Sequence, residues 1–324
     1  MNKNSKVALG TLIVSLIVLL LKAKAYYATM SLAVMSDALE TVVNVVTALV
    51  ALAAVKIAAE PADEDHPYGH GKLEYFSASF EGGLILFAAL AILYQSIKSF
   101  FQPVEFTDIL AGNMYLIVAT GINIVVGFYL VQHGKKENSE ALKASGKHLL
   151  SDVVTTFGVL IGLAMVKWTG LDWIDSLIAF MAGLYLAYEA YKILRTTSGA
   201  LMDAIDPEII TMLANSLNRY RQDEIIDIHN LRMIRSGGFH HIDAHVVVPA
   251  YMDVETIHEI THEFELQVVK DYKYDGEIAF HIDPCLQAYC QQCRVKDCSI
   301  RKAAFVQEKI FDQTNLIKGP QYTN

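Results

Sequence analysis

Residues 31–57 read SLAVMSDALETVVNVVTALVALAAVKI, an apolar run long enough to cross a bilayer as a helix yet carrying Asp37, Glu40 and Asn44. Residues four apart stack on one helical face, so Glu40 lies above Asn44. A second apolar run, 142–167, repeats the device with His148 and Asp152. Ionisable groups at membrane depth are costly, about 2.5–3.5 kcal/mol for an Asp on insertion scales, so two such pairs on separate helices require a partner or a passenger. A divalent cation satisfies both.

Working outward, 53% of the 324 residues are hydrophobic and the mean hydropathy is positive, too apolar for an average soluble chain. The excess sits before residue 200, in runs such as 10–21, 84–93, 114–130 and 153–166. With their flanks these predict six spanning helices near 7–28, 31–57, 78–101, 112–133, 142–167 and 172–196. The first is not read as a cleaved leader, because no small-residue cleavage site follows it. Lys3, Lys6, Lys56, Lys72, Lys135, Lys136, Lys143, Lys147, Lys192 and Arg195 all fall on one side of such a bundle. Both termini are therefore expected to be cytoplasmic. The opposite loops, 102–108 and 168–175, carry more acid than base, with Trp168 and Trp173 at interface depth.

From Asp203 the texture becomes charged and alternating. A helix at 207–221, strands at 225–234 and 239–248 about a turn at Ser236-Gly237-Gly238, a helix at 254–269 and a strand at 277–282 predict an αββαβ order. The expected architecture is thus an α-helical membrane protein with six transmembrane helices plus a small cytoplasmic α+β domain, ferredoxin-like or metallochaperone-like. Its divisions are 1–200 for the membrane part, 203–284 for the soluble domain and 285–324 for a cysteine-cluster tail, whose last residues, 319–324, are expected to fray. A net charge of −9 with no basic face argues against nucleic acid as a partner.

Two opposed faces bearing Glu40, Asn44, His148 and Asp152 offer four ligands, with Asp37 one turn before Glu40 as a further candidate. Mixed imidazole and carboxylate ligation in a tetrahedral site suits Zn²⁺ best, with Fe²⁺, Co²⁺, Mn²⁺ and Cd²⁺ as competitors. Thr41 and Ser151 read as packing residues where helices touch. The loop after the second span sets Asp63, His66 and His70 at intervals of three and four among Pro67 and Gly69, a cluster able to wrap a metal. In the strand 239–248, His241, Asp243 and His245 share a face, and His258 and His262 share a helical face. All four cysteines form one run, Cys285-x₄-Cys290-x₂-Cys293-x₄-Cys298. Their clustering in a reducing compartment favours thiolate ligation over disulfides: a Cys₄ zinc site leads, an iron–sulfur cluster or redox sensor follows, and no metal is the remaining reading.

The polar quartet, the Asp-x-x-His-x-x-x-His-Gly-Lys loop at 63–72 and the late His-x-Asp-Pro at 281–284 together resemble the cation diffusion facilitator family over the chain from the first span to about Asp283. The resemblance implies a transport site of Glu40, Asn44, His148 and Asp152 and a loop site of Asp63, His66 and His70. It also implies a homodimer whose cytoplasmic domain binds metal through His245, His258, His281 and Asp283, leaving His240, His241 and His262 as second choices. A Lys72 to Asp203 pair resembles the family's charge interlock. Family members export divalent metal in exchange for protons, so the expected activity is secondary active antiport and not enzymatic catalysis, in a membrane of the bacterial inner type. Many relatives carry two Asp residues where this chain has Glu40 and Asn44, which leaves the choice of metal and the proton count open. Two other classes compete: a membrane metal sensor or receptor without transport, and a membrane redox protein using the cysteine cluster. Ligands on two spans favour the exporter, and the sequence has no Gly-rich phosphate loop or haem-spaced His pairs for the redox reading.

Overall fold

A computed structural model describes residues 3–58, 60–101, 108–136 and 140–319. Among these described residues, six helices are long and apolar enough to cross a membrane: α1 (Lys3–Thr29), α2 (Leu32–Ala58), α3 (Lys72–Phe101), α4 (Ile109–Lys136), α5 (Glu140–Thr169) and α6 (Trp173–Leu201). Most of the expected acidic loop, residues 102–107, lies outside the described residues, as do 320–324 of the expected frayed end and the side chains of Lys3, Lys6, Lys135, Lys143 and Lys147.

The chain forms two compact units, one of Met1–Ala54 and Phe76–Ser198, the other of Val55–Tyr75 and Gly199–Asn324. The sequence division at residue 200 keeps the loop 63–72 with the membrane helices, whereas here that loop groups with the C-terminal residues.

In the first unit, α4 packs on both α1 and α5. The α4–α5 crossing is tight because it runs over glycines: a Cβ on Gly146 would stand 2.8 Å from the Gly127 carbonyl oxygen. Small residues permit such approach between membrane helices. Buried Ala25, Leu32, Val34, Leu116, Val159 and Leu163 form one apolar cluster and Val43, Ile85, Ala89, Ile92 and Leu186 another. Large side chains such as Phe87, Val125 and Val154 are exposed, as a lipid-facing surface requires. The start of α2 is fixed by charge. Ser31 Oγ donates to Asp175 Oδ1 at 2.5 Å, and the Leu32 backbone N–H donates to Asp175 Oδ2 at 2.7 Å. A carboxylate there satisfies free N–H groups and favours the positive end of the helix dipole.

In the second unit the order αββαβ appears as α7 (Pro207–Tyr220), β1 (Asp227–Ser236), β2 (Phe239–Val248), α8 (Val254–Asp271) and β3 (Asp275–Pro284). Asp206 caps α7, accepting from the backbone N–H groups of Glu208 and Ile209, with Pro207 in the first turn. The sheet order is β1-β2-β3, with β1 and β2 antiparallel about Gly237 (φ +63°) and Gly238, and β3 parallel to β2 after the α8 crossover. One sheet face carries Ile242, Ala244, Val246 and Val248 into a core with Leu213, Leu217, Phe264 and Val268. The other face carries His241, Asp243 and His245.

A bulge between His229 and Arg232, with Asn230 at φ +52°, returns Leu231 to the core while leaving His229 opposite His245. After β3 the chain makes a 3₁₀ turn (Gln287–Gln291) and later forms α9 (Gln313–Ile317), whose Leu316 and the preceding Phe311 enter the same core.

Candidate metal centres

In the first unit, α2 and α5 bring part of the expected quartet into contact. Asn44 Nδ2 donates to Asp152 Oδ2 at 3.0 Å, and His148 Nε2 lies 3.7 Å from Asp152 Oδ1. Asn44 Oδ1, His148 Nε2 and Asp152 Oδ1 are buried and have no hydrogen-bond partner. Buried polar atoms are almost always paired, so three orphaned ligand atoms in one place mark a site shaped for something else. Glu40 lies one turn along α2 and, with Asp37, lines a cavity of about 380 Å³ together with Thr155 and Tyr185. Glu40, His148 and Asp152 do not bring three donor atoms within 4.8 Å of one another.

Asp37 is engaged at one oxygen, Oδ1, while its buried Oδ2 has no partner, like the three atoms above. Lys22 Nζ lies 2.9 Å from its Oδ1, and Thr156 Oγ1 donates to the same oxygen at 2.8 Å. Both ionic side chains are 1% exposed. Removing either charge from such a buried pair leaves the other uncompensated, a change that costs about 3–5 kcal/mol in comparable cases. The sequence signal of Lys22 is weak, since it is one of two lysines, with Lys24, inside the first spanning segment.

The loop cluster is compact. Asp63 Oδ1 accepts from the backbone N–H groups of Asp65 (3.0 Å) and His66 (2.6 Å), closing a turn that sets His66 Nδ1 at 3.1 Å and His70 Nε2 at 3.5 Å from the carboxylate. The His66 N–H bond holds the Asp63 carboxyl below the usual range, with burial opposing it weakly and the His66 side chain assisting. Gly69 at φ +73° turns the chain between them, and Gly71 lies against the hairpin so closely that a Cβ would meet Ser236 at 2.2 Å. Lys72 Nζ then pairs with Asp203 at 2.9 Å, the interlock residues joined within one protomer.

On the open sheet face a row of imidazoles crosses all three strands: His229 of β1 faces His245 of β2, which faces His281 of β3. Asp283 gathers them. Its Oδ2 lies 3.0 Å from His245 Nδ1 and 3.4 Å from His229 Nε2, and its Oδ1 lies 3.6 Å from His281 Nε2. His229, His245 and Asp283 bring three donor atoms within 4.8 Å, as do Asp63, His66 and His70. His229 is buried, and neither ring nitrogen makes a hydrogen bond.

The expected ligand His258 stands instead on an exposed part of α8, stacked on His262 at 5.7 Å and apart from the row. His262 is 3.8 Å from Glu265, and His241 pairs with Glu277 at 2.8 Å. His240 is a core residue bonded to Tyr272 Oη at 2.7 Å, and burial, with Arg235 assisting, pushes its pKa down to about 4. Cys285, Cys290, Cys293 and Cys298 are free thiols around one cavity, and burial pushes the Cys285 and Cys293 thiols up.

Six apolar helices holding orphaned ligand atoms, joined in one chain to an α+β unit with a His and Asp row, define an integral membrane protein that handles metal cations. Residues 9–202 match the cation efflux transmembrane domain and residues 205–285 the cation efflux protein cytoplasmic domain, so the chain belongs to the cation diffusion facilitator family of transporters. It is 35% identical over 265 residues to an uncharacterized transporter of Synechocystis sp., covering 82% of this chain and 85% of that protein. It is 25% identical over 291 residues to the cation-efflux pump FieF of Salmonella arizonae, covering 87% and 93% of the two chains. An uncharacterized transporter of Methanocaldococcus jannaschii is 27% identical over 238 residues, covering 72% and 82%.

Proposed function

We propose that this chain exports divalent transition metal, Zn²⁺ before Fe²⁺, Mn²⁺, Co²⁺ or Cd²⁺, from the cytoplasm in exchange for protons. Residues 1–200 act as the transport domain, 203–284 as a cytoplasmic metal-binding domain and 285–324 as a cysteine-bearing tail. Both termini are cytoplasmic, the membrane is of the bacterial inner type, and the working unit is a homodimer. The observation that carries the reading is the trio of buried, unpartnered ligand atoms Asn44 Oδ1, His148 Nε2 and Asp152 Oδ1, contributed by two helices of the membrane unit. A sensor would need only the soluble clusters.

Glu40 completes the transport set from its cavity. Carboxylate and imidazole ligands bind protons and metal in competition, so a metal entering the site displaces protons and its departure restores them. Rocking of α2 and α5 against the remaining helices would expose the site to alternate sides. The loop triad Asp63, His66 and His70 and the row His229, His245, His281 and Asp283 serve as accessory sites, the latter reporting metal on the cytoplasmic side.

The test is metal-driven proton flux in proteoliposomes. Asp152→Asn keeps the volume and an acceptor for Asn44 but removes the anion. It should lower flux at least tenfold while the protein stays folded by circular dichroism; flux at the wild-type rate overturns the assignment.

A further inference from the structure

We infer that Cys285, Cys290, Cys293 and Cys298 form a tetrathiolate Zn²⁺ site, separate from the histidine row, that locks the segment after β3 onto the sheet. The four free thiols surround a single cavity of about 150 Å³ whose other walls include Ile226, Pro249, Leu286 and Ile300. Tyr289 and Cys293 pack with Ile226 and Val247 at the end of the sheet. The donor set is wholly soft sulfur, which suits zinc, and the cavity wall mixes these apolar side chains with Arg301 and Lys302.

The backbone around this cavity is irregular except for one 3₁₀ turn, so something other than a ladder must shape it. Arg301 does part of this. Its guanidinium donates to the carbonyl oxygens of Cys290 at 3.0 Å, Cys293 at 3.0 Å and Val295 at 2.5 Å, folding the loop about one side chain and setting a positive charge beside the sulfurs. The Lys302 backbone N–H points at Cys290 Sγ at 3.5 Å, the kind of contact that supports a thiolate ligand. Cys285 is anchored by its N–H to the Val248 carbonyl at 2.8 Å, in register with the sheet and two residues beyond Asp283.

No three of the sulfurs lie within 4.8 Å of one another. Zinc, with Zn–S distances of about 2.3 Å, would contract the loop around itself. Binding therefore adds metal-binding free energy to the ordering of a segment whose own buried cluster is small, as in other small loop-rich zinc elements. Because Cys285 continues the strand that carries Asp283, the ion also fixes the backbone supplying that carboxylate. Each thiol gives up one proton as its sulfur binds the metal, with no redox change.

Full-length protein purified in detergent under reducing conditions should retain about one Zn²⁺ per chain through dialysis against a carboxylate chelator. A mercurial reagent should release that ion in step with modification of the four thiols, a measurement that needs no variant. Co²⁺ replacing it should show sulfur-to-metal charge-transfer absorption. Cys290→Ser with Cys293→Ser should lose both the ion and the absorption, whereas His245→Ala with Asp283→Ala should keep them. Proton flux should persist in the cysteine variant, so failure here is distinguishable from failure of the transport reading. Iron with acid-labile sulfide, an absence of thiol-released metal, or loss of the ion with the histidine variant each overturns the proposal.

Discussion

Replacing His229 by Leu separates a ligand from a structural histidine. The side chain is 2% exposed, both ring nitrogens lack hydrogen bonds, and the nearest carboxylate oxygens, of Asp227 and Asp283, are 3.6 and 3.4 Å away. An unsatisfied buried polar group costs about 1–3 kcal/mol, so its removal should offset the roughly 1.5 kcal/mol or less that a volume-conserving swap loses. Without metal, then, the variant should match the wild type or exceed it. With free Zn²⁺ at about 100 times its dissociation constant, the wild type should gain about 2.7 kcal/mol and the variant none. Hydrogen exchange of peptides within β1 in the full-length protein reads both numbers, because amide protection follows the local opening free energy. Zinc should slow β1 exchange by about 100-fold in the wild type and leave the variant unchanged. Either a loss of about 3 kcal/mol in metal-free protein, as for a properly bonded core histidine, or retained slowing by zinc would refute the reasoning.

Asn44→Asp should tighten Zn²⁺ binding and raise the protons released per metal, measured by calorimetry in buffers of different ionisation enthalpy, since it adds a titratable anion beside Asp152. His240, held to a pKa of about 4 against its ordinary 6.5, stays neutral in the fold while the unfolded chain takes up a proton. The C-terminal unit should therefore lose stability as pH falls from 6.5 toward 4, and His240→Phe should flatten that part of the urea-midpoint profile. Gly71→Ala places a methyl group 2.2 Å from the Ser236 backbone and should destabilise the docked loop by about 1–3 kcal/mol, seen as faster proteolysis between Asp63 and Lys72.

The membrane helices are legible because a spanning segment must be apolar for about 20 residues whatever its neighbours do. The start of α3 was not: its first turns carry Lys72, Glu74, Tyr75, Ser77 and Ser79, which lower the hydropathy of a helix that nonetheless begins at Lys72. In the second unit, strict alternation of Ile242, Ala244, Val246 and Val248 announces β2. The β1 boundary and the place of His229 were hidden by the bulge at Asn230, since counting by twos from Ile234 and Arg232 puts His229 on the core side. Only the extra residue moves it beside His245. Asp175 looked like loop charge because nothing local marks it as the cap of a helix 143 residues away. The partnering of Lys22 with Asp37 joins α1 to α2 through the two side chains, which no pattern within either helix encodes.

Phe311 and Leu316 lie far beyond residue 285, where the match to the cytoplasmic domain ends, yet both sit in the same core as α7, α8 and the sheet. Asn218 bonds both ways with the Phe311 backbone, and Lys309 reaches the buried Asp227 carboxylate at 2.6 Å. During synthesis, β3 will have left the ribosome while this core still lacks one of its walls. The sheet and its two helices must wait, partly uncovered, until the last of these residues emerges, which makes the interval after β3 the period when a nascent chain is most exposed to mispairing and to chaperones.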